Sequence, residues 1–354
     1  MTELLVGTSK GLFVLEGEPG SKFELKTRAF VGEPVEYAMR DDRSGRLLAS
    51  VTSPFYGPKI FHTDDPSGEW EQATGVVVPE GEDVALERIW SIAAGERDGA
   101  LYAGGDPGVL FKSVDGGAAW QLNEPLWKHP TRPHWQPGAG GLCLHSIVPW
   151  PGEPDRLALG ISAAGVWLTE DGGETWRQGN EGLVARYGPE DADENTIALC
   201  VHDLKRAAKR PERMFMQFHG GVYRSDNGGE VWTDISAGLP SDFGFPIVLD
   251  PGDPDSAYVI PLSEDDRTSP GGRVCVYETR DAGASWTARG DGLPDEDAYL
   301  TVLRQAFGRA GEDSALELYF GAKSGDVFGS SDAGESWFTA STRLPPVLSV
   351  TVSG

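Results

Sequence analysis

Basic residues, cysteines and long apolar runs are all scarce in this sequence, and each shortage removes a class of protein. Lys and Arg number 30 against 55 Asp and Glu, for a formal net charge of −25. A surface so acidic repels nucleic-acid phosphates and anionic membranes instead of neutralising them. Only nine of the basic residues are Lys, an excess of carboxylates that suits solubility or a salty milieu in which self-repulsion is screened. The three cysteines, Cys143, Cys200 and Cys275, form an odd set without CxxC spacing, which points to neither a disulfide framework nor a Cys-rich zinc module. No stretch approaches the ~18 apolar residues of a membrane helix. The N-terminal MTELLVGTSKGLFVLEG alternates like a strand from its fourth residue, with no basic segment followed by an apolar core. A cytoplasmic protein is the expectation. The glycine-rich stretches contain no phosphate loop, dinucleotide fingerprint or nucleophile elbow, and their glycines read as turn glycines.

What the sequence has instead is a repeat. The frame S/T-x-D-x-G-x-x-W occurs as SVDGGAAW from Ser113, TEDGGETW from Thr169, TRDAGASW from Thr279 and SSDAGESW from Ser330. Two degenerate copies, SDNGGEVW from Ser225 and TDDPSGEW from Thr63, carry Asn227 in place of the Asp and Ser67 in place of the Gly. The six starts lie 50, 56, 56, 54 and 51 residues apart, the length of one four-stranded unit with loops. Before each frame runs a strand pair such as ALYAGGDPGVLFKS from Ala100, whose apolar residues bracket a glycine turn, and a further strand such as LHSIVPW from Leu144 lies upstream. The frame itself reads as structural: Asp and Ser/Thr bond the backbone of a tight turn, Gly supplies a positive φ, and Trp packs into the apolar layer. GTSKGLFVLEG from Gly7 is a central hairpin without a preceding inner strand, whereas VLSVTVSG from Val347 is an inner strand without a following hairpin. The expectation is one domain, residues 1–354, all-β: a single seven-bladed β-propeller of four-stranded blades, its ring closed by the N- and C-terminal strands in one blade.

These frames resemble those of the BNR/Asp-box repeat propeller superfamily, which includes sialidases, xyloglucanases and photosystem-assembly factors. The similarity to a bacterial and archaeal group labelled BNR-repeat or glycosyl-hydrolase-like runs the full length, and includes HPTRPHWQPGAGGLCLH (129–145), SAAGV from Ser162 and GLPSDFGFP (238–246). A sialidase would carry an Arg-Ile-Pro segment near the N-terminus, and the nearest string here is Arg88-Ile89-Trp90. Xyloglucanases use a groove between two propellers, whereas the frames here account for one.

Strand order sorts the loops onto two faces, with the frame turns and first hairpins on one, and the second hairpins and unit-to-unit crossovers on the other. Five of six histidines fall on this second, upper face: His129 and His134 in the crossover over residues 121–142, His145 and His202 at inner-strand starts, and His219 in a hairpin turn. Aligned inner strands place Tyr37, Trp90, His145, His202, Phe245, Leu300 and Leu348 at equivalent positions. Cys143/His145 and Cys200/His202 repeat as Cys-x-His, which puts each pair on one strand face, and Cys and His are zinc ligands. Equivalent turns carry Ser9, Asp106, Ser162, His219 and Lys323, and Glu87 and Arg88 precede Trp90. The expected ligand-binding set is Tyr37, Glu87, Arg88, Trp90, His145, His202, His219 and Lys323, with a divalent metal on His145, His202 and His219 as an alternative to plain packing. Trp127, Arg132 and Trp135 either join this surface or wedge the crossover onto the ring. Aromatics with Arg and carboxylates suit a small polar molecule, a carbohydrate or a protein. A binding scaffold is the first reading. A metal-assisted hydrolase or lyase, or a glycoside hydrolase using two of Glu36, Glu87, Asp106 and Glu264, are the alternatives.

Overall fold

The computed structural model describes residues 1–79, 84–138, 140–186 and 198–353. Among these the chain is all-β, with five four-stranded sheets and one of eight strands. A representative sheet runs in chain order through Leu144–Trp150, Glu153–Ile161, Gly165–Thr169 and Arg177–Gln178, each antiparallel to the next. Its middle strand GVWLT is buried throughout, as is MFMQF in the following sheet. Both read as continuous apolar runs because sheets stack on either side of them. The outermost strand is two or three mostly exposed residues long in the five four-stranded sheets, and four and six residues long at the two edges of the eight-stranded one.

The eight-stranded sheet has two halves. Val302–Ala310, Glu317–Ala322, Val327–Ser330 and Phe338–Ser341 form one, and Val347–Ser353, Thr2–Thr8, Gly11–Gly17 and Glu24–Ala29 the other. A single parallel pairing, Gln305 with Ser349, joins them. The first and last strands of the chain are antiparallel neighbours, with Glu3 opposite Ser353 and Val6 opposite Val350. The inner strands Val35–Arg40, Arg88–Ala94, Leu144–Trp150, Val201–Arg206, Gly244–Leu249, Val302–Ala310 and Val347–Ser353 touch in succession, and the last also touches the first.

The repeated turns hold the sheets together. Ser113 Oγ bonds Asp115 Oδ1 at 2.8 Å and accepts from Gly117 N, while Asp115 Oδ1 accepts from Ala118 N and Ala119 N. The same bonds recur around Thr169 and Asp171, Thr279 and Asp281, and Ser330 and Asp332. Asn227 replaces Asp without loss, because its side-chain oxygen still accepts from Val231 N at 3.0 Å. In the Thr63 copy the hydroxyl turns to Asp65 O and Glu69 O instead. Gly117, at φ 90, has no room for a side chain, since a Cβ there would stand 2.4 Å from Leu48 Cδ2. Each turn then reaches the preceding sheet through its Trp. The Trp120, Trp232 and Trp337 amides donate to Thr74 O, Glu181 O and Asp291 O. The indoles of Trp176, Trp232 and Trp286 donate to Asn123 Oδ1, Gly179 O and Ile235 O. A unit unable to bury its own face is thereby bonded to its neighbour.

Candidate functional site

The upper face is shaped by irregularities in the inner strands. One residue in from its start, each loses register with its partner strand: pairing passes from Val35 to Tyr37, Ile89 to Ser91, Leu144 to Ser146 and Val201 to Asp203. It passes from Gly244 to Ile247 and from Val302 to Phe307 in the next two. A bulge frees the skipped side chain from strand alternation and re-aims it. The re-aimed residues are Glu36, Trp90, His145, His202, Phe245 with Pro246, and 303–306. Two expected equivalences therefore shift: Glu36 occupies the place assigned to Tyr37, and Arg304, within a four-residue excursion, the place assigned to Leu300. Tyr37 stays in the ladder opposite Ser50, deep in the axial channel, where burial pushes its phenol up to about 12.

His145 and His202 repeat one another only in part. Each ring bonds the next inner strand, His145 Nε2 to Val201 O at 2.8 Å and His202 Nδ1 to Gly244 O at 2.6 Å. Both are buried, and burial holds each imidazole well below its usual range and neutral. The second nitrogen of His145 is taken by Ser146 Oγ at 3.0 Å, and its carbonyl accepts from Gln305 Nε2 at 2.8 Å. His145 is a stitch between sheets. His202 instead lies in an aromatic cluster, its ring 5.1 Å from His219, 5.3 Å from Phe243 and 5.0 Å from Phe245. Among the described residues the group that converges is Cys200, His202 and His219, each able to place a ligand atom within 4.8 Å of the others. The expected trio with His145 is replaced, because the hairpin turn that carries His219 here carries Ser162 beside His145, and Ser162 Oγ is spent on Val201 O.

A cationic and aromatic group stands beside this cluster. Arg304 Cζ lies 4.8 Å from the Phe245 ring and 5.7 Å from Trp90, and Arg88 Cζ lies 4.9 Å from Trp90 on its own strand. Among the described residues no carboxylate is in ion-pair contact with either guanidinium, and Arg88 Nε, Trp90 Nε1 and Arg304 Nε are buried donors without an acceptor. Buried N–H groups are rarely left so. Asp106 is nearby, its carboxyl raised by burial and bonded by the Cys143 thiol at 3.5 Å. Glu87 and Lys323 are exposed at the rim, anchored through backbone bonds to Asp106 O and Thr301 O. Glu264 is engaged by His219 and Arg186, both at 3.0 Å. Below this level a cavity of about 510 Å³ opens along the axis, lined among others by Tyr37, His145, Gln305 and Arg309.

Trp127, Arg132 and Trp135 wedge the crossover. Both indoles are buried, Arg132 Cζ sits 3.9 Å from one and 5.3 Å from the other, and its guanidinium donates to Pro107 O and Gly108 O. Sequence reasoning missed Arg304, Phe243 and Arg186. No signal marks Arg304, because a bulge leaves composition unchanged. Phe243 lies just before its strand and meets the Phe245 ring edge-on at 5.2 Å.

No family model matches the chain. A curated relative, the photosystem II assembly lipoprotein Ycf48 of Synechococcus sp. (strain CC9902), is 28% identical over 198 residues, 54% of this chain and 44% of that protein. This chain thus matches less than half the length of that relative. Among solved structures, Ycf48 bound to D1 peptide aligns with a TM-score of 0.53 at 15% identity, covering 90% of this chain and 84% of that one. An ancestral GH74 enzyme aligns with a TM-score of 0.56 at 15% identity, over 90% of this chain and 38% of that one. At such identities these likenesses speak to architecture, and the architecture they share with this chain is a β-propeller.

Proposed function

We propose that this chain is a seven-bladed Asp-box propeller acting as a binding scaffold, which takes a carboxylate-bearing segment of a polypeptide at the mouth of its axial channel. The blade count follows from reading the eight-stranded sheet as two blades joined at their inner strands, and ring closure from the contact between Val347–Ser353 and Val35–Arg40. The observation that carries the binding role is the trio of orphaned donors, Arg88 Nε, Trp90 Nε1 and Arg304 Nε, around one indole ring. All three groups donate and none accepts, so their complement is an acceptor-rich anion. Two cations without an ion-paired carboxylate among the described residues, in a chain of net charge −25, make the mouth more attractive to an anion than the surface around it, which favours selectivity and guided approach. A propeller relative bound to a D1 peptide supports a polypeptide occupant over a sugar. Catalysis of glycoside cleavage is less favoured, because Glu264 is committed to His219 and Arg186.

The test is a peptide array in paired form, each peptide with a free C-terminal carboxylate and as its amide. The free acids should bind and the amides should not. Arg304→Gln should weaken binding ~10- to 100-fold, the worth of one charge-assisted hydrogen bond of about 1.5–3 kcal/mol. Equal binding of acids and amides, or an unaffected variant, refutes the reading.

A further inference from the structure

We propose that Cys200, His202 and His219 form a zinc site, with a fourth position left for water or a ligand atom. This inference stands apart from the carboxylate reading above. The three side chains come from one sheet: Cys200 immediately precedes the inner strand Val201–Arg206, His202 is its bulged residue, and His219 sits in the turn between Met214–Phe218 and Gly221–Ser225. Backbone bonding locks them together, since His219 N donates to Cys200 O at 3.0 Å. Their ligand atoms lie within 4.8 Å of one another. Around a tetrahedral zinc with Zn–N of ~2.1 Å and Zn–S of ~2.3 Å, ligand atoms are separated by roughly 3.4–3.7 Å. Ligand atoms at the 4.8 Å limit must close by about an ångström to reach that geometry.

The surroundings are those that orient metal-binding imidazoles. A ligating histidine characteristically donates its other ring N–H to a carbonyl or carboxylate, which fixes the tautomer and raises the basicity of the ligating nitrogen. His202 Nδ1 is 2.6 Å from Gly244 O, so the proton is on Nδ1 and the lone pair on Nε2. His219 Nε2 is 3.0 Å from Glu264 Oε1, and that carboxylate is itself held by Arg186 at 3.0 Å. The tautomer that donates to Glu264 carries its lone pair on Nδ1. One thiolate and two imidazoles suit Zn²⁺ and, as a spectroscopic stand-in, Co²⁺; they do not suit Ca²⁺ or Mg²⁺, which require oxygen ligands. Binding releases the Cys200 proton, leaving the ion, thiolate and two neutral imidazoles with a net charge of about +1. Phe243 and Phe245 pack on the His202 ring and keep the site dry on one side.

The experiment uses the full chain without a histidine tag, stripped with chelator and titrated with Co²⁺. The expected result is one ion per chain, with a thiolate-to-cobalt charge-transfer band and the visible bands of a tetrahedral centre, all displaced by Zn²⁺. Cys200→Ser should abolish the charge-transfer band and His219→Gln should lower affinity at least ~10-fold, whereas Cys143→Ser and His145→Gln should leave both unchanged. Glu264→Gln, which acts by positioning His219, should weaken Co²⁺ ~10- to 100-fold while keeping the spectrum. Circular dichroism of each metal-free variant confirms that it is folded. Absence of Co²⁺ and Zn²⁺ binding by the folded wild-type chain overturns the proposal, and so does binding that survives intact in Cys200→Ser.

Discussion

Replacing Trp176 by Ala tests the joint between repeated turn and preceding sheet. Its indole is buried in a cluster with Tyr102, Leu157, Leu159 and Trp167. An indole removes ~200 Å² from water on burial, which at ~25 cal/mol/Å² amounts to about 5 kcal/mol. A compact denatured chain already hides part of that area and lowers the figure by up to ~40%. The polar side of the loss is small. Nε1 donates to Asn123 Oδ1 and Gly173 O, but Asn123 Oδ1 also accepts from Leu126 N, and Gly173 O from Asn123 Nδ2. Neither acceptor is stranded. The expected cost is therefore about 3–5 kcal/mol, the range of large-to-small core substitutions, read as a shift in the urea midpoint. At ~2.1 cal/mol/K per residue a chain this long loses only ~1.3 °C of melting temperature per kcal/mol, which makes the thermal signature about 4–7 °C. Trp286, half-buried with one bond to Ile235 O, should lose roughly half as much when truncated. A Trp176→Ala cost under ~1 kcal/mol, or a larger cost at Trp286, would refute the inference that buried indoles weld the units.

Other perturbations probe separate parts of the molecule. Gly116, at φ 72, has only Arg46 Nη1 at 3.6 Å near a hypothetical Cβ, and its counterparts Ala282 and Ala333 hold the same positive φ; Gly116→Ala should cost about 1 kcal/mol in urea melts and the clashing Gly117→Ala distinctly more. Asp171 is held down to about 2 by its bonds to Thr175. A depressed carboxyl stabilises above its unfolded pKa and ceases to do so as pH falls through the folded one, so Asp171→Asn should flatten the loss of stability between pH ~4 and ~2. His145 and His202 are kept neutral by burial; below pH ~6.5 the unfolded chain takes up protons the folded one refuses, stability should fall by up to ~1.4 kcal/mol per unit per histidine, and His145→Gln should reduce that slope. Arg304 bears a desolvation penalty without an ion pair among the described residues, so Arg304→Leu should raise the melting temperature or leave it unchanged while peptide binding falls; a pronounced loss of stability would assign the arginine a structural role.

What could be read from sequence follows from what each device requires of it. The repeated turn needs a hydroxyl, a carboxylate or amide, a glycine and an indole at set spacing, and those were legible even where Asn227 replaces Asp. Four-stranded sheets and the pairing of the two ends followed from counting hairpins. The upper face was less legible because bulges are written in hydrogen bonds and not in residue types. Alignment of the inner strands placed Tyr37 and Leu300 where Glu36 and Arg304 are found. Equivalence between units likewise made His145 a partner of His202, yet one differing turn residue, Ser162 in one sheet and His219 in the next, decides which of the two Cys-x-His pairs has a third side chain able to ligate a metal beside it. Glu87, Arg88 and Trp90 were placed at the mouth by chain order alone; Arg88 Nε and Trp90 Nε1 are buried there, whereas Glu87 is exposed.

The pairing of Thr2–Thr8 with Val347–Ser353 bears on how the chain handles force and rearrangement. Because Glu3 lies opposite Ser353 in an antiparallel pair, tension applied to the two ends opens the ladder one rung at a time from its outer end, like a zipper, and does not load all rungs at once. Peeling should thus begin at low force in an optical trap. The same adjacency lets a short peptide bridge the ends, so the backbone can be reopened elsewhere without stretching any strand. The turn bearing Phe55 and Tyr56, 84% and 80% exposed, offers such a place. A permutant opened there makes the pairing of the end strands local but makes Leu47–Ser53 with Gly57–Thr63 the most distant pairing in its place, so its contact order and folding rate should change little.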